Sequence, residues 1–253
     1  MTDPSMSKGA LLAADELLGQ WRGGGVTYGV VLRLGGTTWA AEMFSQAGFD
    51  FIWIDQQHGF VPDDALLPLL QALNGSRAAS LVRVAANDHV LVGKALDAGA
   101  DGIIIPAVET RSEAEQAVAA TRFGAGGLRS HGALRLHYLP GGIERRVICL
   151  VMIESLAGVE NVQEIVTVPG VDGVFVGPSD LALDMGIPPI SGIQDGPHRE
   201  AILRIRDVCH EHEKVAAITG DAHEMAELGF RAISLGGDHL FMEAGMRAAL
   251  AKR

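Results

Sequence analysis

An eightfold alternation runs through this chain: short, almost wholly apolar stretches alternate with longer amphipathic ones from Tyr28 to Leu250. The apolar stretches predict strands at Tyr28–Leu34, Phe49–Asp55, Ser80–Ala85, Gly102–Pro106, Val147–Ile153, Gly173–Val176, Val215–Thr219 and Ala232–Leu235. Several lack any polar alternation; Ile103, Ile104 and Ile105 are consecutive, and Val147–Ile153 is apolar apart from Cys149. Strands of this kind are covered on both faces, as in a parallel sheet wrapped by helices. Gly48, Gly99 and Gly229 follow helical stretches and suit the left-handed position that ends a helix. The recurring phrases "AGFD", "AGAD", "PGVD" and "LGFR" therefore punctuate structure and do not mark a shared ligand. Eight strand–helix units in roughly 220 residues favour a closed α/β barrel, a (β/α)8 TIM barrel, over an open doubly wound sheet. One barrel domain is expected to span residues 1–253, with 1–24 as an N-terminal extension or helix and 25–250 as the barrel.

Several functions lose support at once. No GxGxxG opens a strand–helix unit and no GxxxxGK[ST] occurs, so dinucleotide and P-loop sites are not expected. A formal net charge of -11 disfavours a nucleic-acid partner. The absence of a long apolar run argues against a membrane span, and Met1–Ala10 lacks an apolar signal segment. Cys149 and Cys209 read as free thiols, and a cytoplasmic location is expected. The lysines are Lys8, Lys94, Lys214 and Lys252, none at the C-terminal end of a strand. A Schiff-base mechanism needs an amine there, so carbanion chemistry in this barrel would require a metal.

In such a barrel the chemistry sits where strands end. The second strand runs into Asp55-Gln56-Gln57-His58, the third contains Arg83, and the fifth ends at Glu154. The sixth runs into Gly177-Pro178-Ser179-Asp180, the seventh into Gly220-Asp221, and the eighth into Gly236-Gly237-Asp238. Glu154 and Asp180, on neighbouring strands, could converge on a hard divalent cation. Equally, Asp180 could cap a helix and Glu154 could pair with an arginine. Arg83 could clamp a carboxylate or enolate oxygen, or form a structural ion pair with Glu154 or Asp55. His58 could act as general base or acid, or be an ordinary loop histidine. The run "RFGAGGLRS" at 122–130 could wrap an anion or pack over the barrel mouth.

The segments "GFDFIWIDQQHG", "LVRV", "ALDAGADGIIIPAVET", "ATRFGAGGLRS", "VMIES" and "PGVDGVFVGPSDLALDMG" resemble the HpcH/HpaI aldolase family, whose members include 4-hydroxy-2-oxoheptanedioate and 2-dehydro-3-deoxyglucarate aldolases, over about residues 25–250. The resemblance implies a class II aldolase that reversibly cleaves a 4-hydroxy-2-oxo acid to pyruvate and an aldehyde through a metal-held enolate. It implies Mg or Mn, with Co also acceptable to such ligands, bound by Glu154 and Asp180. Arg83 would steady the enolate oxygen, the backbone of Gly177, Pro178, Ser179 and Asp180 would bind the substrate carboxylate, and His58, supported by Asp97, would assist proton transfer. It further implies a homo-oligomer, a hexamer or trimer of dimers, with an exchanged C-terminal helix. Alternatives are 2-oxo acid condensation, oxaloacetate decarboxylation, or a non-catalytic 2-oxo acid binding protein. The chain departs from the family pattern at Gln56-Gln57, where Gly-Glu is usual, at Met152, where Gln is usual, and in the loops after Arg129 and Met185.

Overall fold

The computed structural model describes residues 8–35, 37–189 and 192–252. Most of the polar N-terminal stretch, and two residues of the divergent loop after Met185, therefore lie outside the described residues. Eight parallel strands close in sequence order, β1 to β8, with β8 pairing back onto β1. They are β1 Thr27–Leu32, β2 Phe51–Asp55, β3 Ala79–Arg83, β4 Gly102–Ile105, β5 Ile148–Ile153, β6 Gly173–Val176, β7 Val215–Thr219 and β8 Ala232–Gly237. Each expected strand is present; β6 and β7 match at both ends, and the other ends shift by at most two residues.

The helices are α1 Lys8–Arg22, α2 Thr38–Gln46, α3 Asp63–Leu73, α4 His89–Asp97, α5 Arg111–Ala120, α6 Leu156–Glu160, α7 Val162–Val166, α8 Pro178–Asp184, α9 Pro197–Glu211, α10 Ala222–Glu227 and α11 Asp238–Leu250. The helical stretch after β5 is broken into α6 and α7 at Asn161, whose side-chain amide donates to Glu109 O at 2.8 Å. The loop after β6 begins with the short α8, started by Pro178 in its first turn, where a missing N–H is harmless. The predicted helix stops hold, since Gly48, Gly99 and Gly229 have φ of 90°, 99° and 95°.

Side chains of successive strand residues face opposite ways, so each strand supplies two cores. One parity, including Val30, Ile52, Ile54, Val82, Ile103, Val151, Val174 and Ile218, packs against the helices. The other fills the barrel: Val31, Phe51, Trp53, Leu81, Ile104, Leu150, Met152, Phe175 and Ala217. Leu17, Leu18 and Trp21 of α1 join this inner core, and Trp21 Nε1 donates to Thr27 Oγ1 at 2.8 Å. Helix α1 thus closes the end where strands begin, leaving the opposite end as the mouth.

Strand starts are tied together by the aspartates of the recurring phrases. Asp50 accepts from Tyr28 N at 2.8 Å, Asp101 from Ser80 N at 2.9 Å, and Asp172 from Cys149 N at 2.9 Å. Asp101 also pairs with Arg145 and Asp172 with Arg146. The repeat is therefore a strand-to-strand staple. The run 122–130 does not pack over the barrel mouth. Arg122 donates to Pro169 O at 2.7 Å and Arg129 pairs with Asp97 at 2.6 Å, both at the end remote from the mouth. Arg129 also lies over the Phe123 ring, so the two arginines hold this loop to the barrel flank.

Candidate active site

Following the inward parity upward leads from apolar core to polar mouth on five strands. Phe51 and Trp53 are succeeded by Asp55, Leu81 by Arg83, Leu150 and Met152 by Glu154, Val31 by Arg33, and Phe175 by Gly177. Arg33, Arg83, Glu154 and Gly177, over Val31, Trp53, Met152 and Phe175, surround a cavity of about 480 Å³ with His58, Pro178, Ser179, Asp180, Thr219, His239 and Leu240, while Asp55 lies beneath its floor.

Asp55 and Arg83 are register partners on β2 and β3, so their side chains meet directly. Arg83 Nε donates to Asp55 Oδ1 at 2.9 Å and Nη2 to Oδ2 at 2.6 Å. Arg33 Nε adds a bond to Oδ2 at 2.8 Å. Asp55 Oδ1 also accepts the amides of Gln57 and His58, which fixes the turn carrying His58. Burial pushes the Asp55 carboxyl up, but the bonds and charge of Arg83, the His58 amide and the Arg33 charge outweigh it and hold it below the usual carboxylate range. The ion pair leaves Arg83 facing the mouth as well, because its third nitrogen, Nη1, is not used by Asp55. That nitrogen meets Met152 Sδ at 3.6 Å, so the unusual methionine still touches the arginine, as a weak acceptor.

Glu154 follows β5 directly and accepts from Ala107 N at 2.9 Å. Ala107 has φ of 52°, a left-handed conformation that costs on the order of 1 kcal/mol for a residue with a Cβ. Across the rim stands Gly177, because Met152 and Phe175 are register partners two residues below. A Cβ at 177 would lie 2.6 Å from Glu154 Cβ and Oε2, so glycine is required for the carboxylate to occupy this place. Asp180 sits in the first turn of α8, where Gly177 is the cap, so it is not a helix cap. Burial raises the Glu154 pKa, the Ala107 amide opposes this, and the repulsion of Asp180 raises it further.

Among the described residues neither Glu154 nor Asp180 forms a salt bridge, and no three His, Cys, Asp or Glu side chains gather as a metal cluster. Two facing carboxylates, whose repulsion the Arg83 charge only partly offsets, are an unfavourable arrangement that a divalent ion would relieve. They supply hard oxygen donors at two positions and leave the others for water and substrate oxygens. The donor set therefore fits Mg²⁺ or Mn²⁺.

Of the residues singled out from sequence, His58, Arg83, Glu154, Gly177, Pro178, Ser179 and Asp180 all line this cavity. Asp97 does not. It ends α4 beside the start of β4, at the far end of the barrel, and bonds Arg129. Within one chain it cannot support His58. Sequence reasoning missed Arg33, His239 and His198. The buried ring of His198 accepts from Gln194 N at 3.1 Å and pairs its Nε2 with Pro178 O at 2.8 Å, holding α8 in place. A charged residue ending the apolar "GVVL" run was the available signal for Arg33.

Comparison with known proteins agrees with this geometry. A family described as HpcH/HpaI aldolase/citrate lyase matches residues 34–242. A hydroxypyruvate/pyruvate aldolase of Rhizorhabdus wittichii is 35% identical over 229 residues, covering 87% of this chain and 91% of the relative. A 5-keto-4-deoxy-D-glucarate aldolase of Escherichia coli is 35% identical over 210 residues, covering 79% and 81%. The crystal structure of an HpcH/HpaI aldolase/citrate lyase family protein from Burkholderia cenocepacia superposes with a TM-score of 0.85 at 32% identity, over 94% of this chain and 98% of that one. Barrel, mouth and relatives lead to one assignment: the chain belongs to the HpcH/HpaI aldolase/citrate lyase family of carbon–carbon lyases.

Proposed function

We propose that the protein is a divalent-metal-dependent aldolase that reversibly cleaves a 4-hydroxy-2-oxo acid to pyruvate and an aldehyde. The observation that carries this reading is the unpaired Glu154–Asp180 couple facing Arg83 across one cavity. Glu154 and Asp180 would hold the ion, which when bound supplies positive charge to the 2-oxo end of the substrate. The rim segment Gly177–Asp180 receives the substrate carboxylate. A ring nitrogen of His58 takes the proton of the 4-hydroxyl. The C3–C4 bond then breaks, C4 leaves as an aldehyde, and the electron pair passes through C3–C2 to the 2-oxo oxygen as an enolate. Arg83, oriented by Asp55, directs Nη1 at that developing charge. Return of the proton to C3 gives pyruvate. Trp53, Phe175 and Val31 form an apolar floor that limits water at the reacting carbons. Asp97 has no part in these steps within one chain.

The same reading includes a homo-oligomer with α11 exchanged between subunits. Phe241, Met242, Met246 and Leu250 are exposed on α11, where among its residues only Asp238 is buried. Such an apolar surface suits a subunit contact.

The test is pyruvate release from several 4-hydroxy-2-oxo acids by chelator-stripped enzyme, with and without added Mg²⁺ or Mn²⁺, beside oxaloacetate. Turnover is expected only with metal and fastest with a 4-hydroxy-2-oxo acid. Metal-independent cleavage would overturn the reading, and faster release from oxaloacetate would replace it with decarboxylation.

A further inference from the structure

We propose that Asp184 and His198 are positioning residues that hold α8 at its two ends and so set the separation of Glu154 and Asp180, on which affinity for a divalent cation depends; this rests on the metal-dependent reading above. The two carboxylates are mounted differently. Glu154 belongs to a segment fixed within its own stretch of chain. Ser155 caps α6, its Oγ accepting from Gly158 N at 3.1 Å. A Cβ at Gly158 would meet Ile153 Cγ2 at 2.9 Å and Val108 O at 3.1 Å, so this turn sits directly on the barrel wall. Asp180 instead rides on α8, a helix of seven residues. A helix that short is not stable alone, so its place is set by what it touches.

Two polar contacts fix the ends of α8. At its start is the buried ring of His198, whose Nδ1 accepts from Gln194 N at 3.1 Å and therefore carries no proton. The ring proton is on Nε2, which donates it to Pro178 O at 2.8 Å. The side chain of Gln194 donates to Pro188 O at 3.0 Å and closes the connection from α8 to α9 on itself. At the other end, Asp184 Oδ2 accepts from Leu156 N at 2.7 Å. Asp184 stands one helical turn after Asp180, on the same face of α8. Leu156 stands two residues after Glu154. This bond therefore ties the helix bearing one carboxylate to the segment bearing the other.

Both contacts act against a definite force. Glu154 and Asp180 repel each other, and that repulsion works to part α8 from the end of β5. The two bonds keep the carboxylates facing before an ion arrives, so little binding energy is spent on gathering them. Without either bond the ion must also draw α8 inward, and affinity falls. Asp184 is not a third ligand. Its Oδ2 is taken by the Leu156 amide, and among the described residues no three His, Cys, Asp or Glu side chains gather.

Calorimetric titration of the chelator-stripped protein with Mn²⁺ tests this without turnover. Asp184→Ala should weaken Mn²⁺ binding roughly 10-fold, the lower range for loss of a group that supports metal ligands. Asp184→Asn should stay within about threefold of the wild type, since an amide oxygen still accepts the Leu156 amide. Both substitutions remove the charge and only alanine removes the acceptor, so equal losses in the two would overturn the proposal. His198→Phe keeps a ring and removes both polar atoms, and should also weaken Mn²⁺ binding by roughly 10-fold. His198→Gln carries an acceptor and a donor on one amide and should recover part of that loss. At saturating Mn²⁺, deuterium exchange at C3 of pyruvate by Asp184→Ala should return to within about threefold of the wild-type rate, because both ligands are intact. No recovery at saturation would place Asp184 in the chemistry itself and overturn its positioning role. A merely structural role gives a lower melting temperature of Asp184→Ala at unchanged Mn²⁺ affinity, which would overturn the proposal and leave the aldolase standing. A wild type that binds no Mn²⁺ overturns both.

Discussion

At the closed end of the barrel, Asp50, Asp101 and Asp172 each accept the amide of a neighbouring strand, and two of them hold an arginine. At the mouth, Glu154 and Asp180 face each other and, among the described residues, neither forms a salt bridge; beside them are a left-handed alanine and a glycine with no room for a methyl group. Acidic side chains at the two ends thus do different work. Where a carboxylate meets donors within the chain, it ties strands together. Where two are left facing, the fold carries strain and repulsion that a ligand must relieve, as functional sites commonly do.

Substitutions at the two ends should separate activity from stability. Glu154→Gln should reduce retro-aldol turnover by roughly 10²- to 10³-fold, the scale of one lost charge-stabilising group, while its melting temperature stays level or rises. A large fall in melting temperature would show Glu154 to be structural and erase the contrast. Asp101→Ala should do the opposite. It removes the acceptor of Ser80 N and Oγ and the carboxylate paired with Arg145, and should cost about 3 kcal/mol in urea unfolding, with kcat of the folded enzyme unchanged.

Gly177→Ala sharpens the mouth side. The added methyl collides with Glu154 Cβ and Oε2, so a loss of about 1–3 kcal/mol is expected, with metal affinity falling at the same time. Calorimetric titration with Mn²⁺ would measure it, and unchanged affinity would refute the close fit.

The pH dependence of stability should differ in sign between Asp172 and Asp55. Burial raises the Asp172 pKa, only partly opposed by the Cys149 amide and Arg146. Its contribution is present below the unfolded value of about 3.9 and is lost as pH rises through the folded one. Asp55 is held low, so its contribution is present above about 3.9 and is lost as pH falls through the folded value. Urea unfolding between about pH 3 and 6 should show Asp172→Asn gaining on the wild type as pH rises and Asp55→Asn falling further behind. The same sign for both would break the comparison. The smallest effect is expected for Gln57→Ala. Its Oε1 is buried without a hydrogen-bond partner, so stability should move by less than about 1 kcal/mol and turnover by less than about twofold.

The sequence by itself determined the eight strand–helix units, the helix stops at glycine, the acidic pair at strand ends and the family. Apolar runs, glycine positions and short motifs are local, and each can be read without knowing what lies opposite. Only the tertiary structure decided which parity of each strand points inward. Strands buried on both faces carry no alternation to reveal it, so Arg33 looked no different from an exposed strand end. Closure of β8 onto β1 then set Arg33 beside His239, and the pairing of β2 with β3 joined Asp55 to Arg83. The direction of α4 carried Asp97 away from His58 to the opposite end. Such neighbours are fixed by register and closure over long sequence separations, which no local pattern encodes.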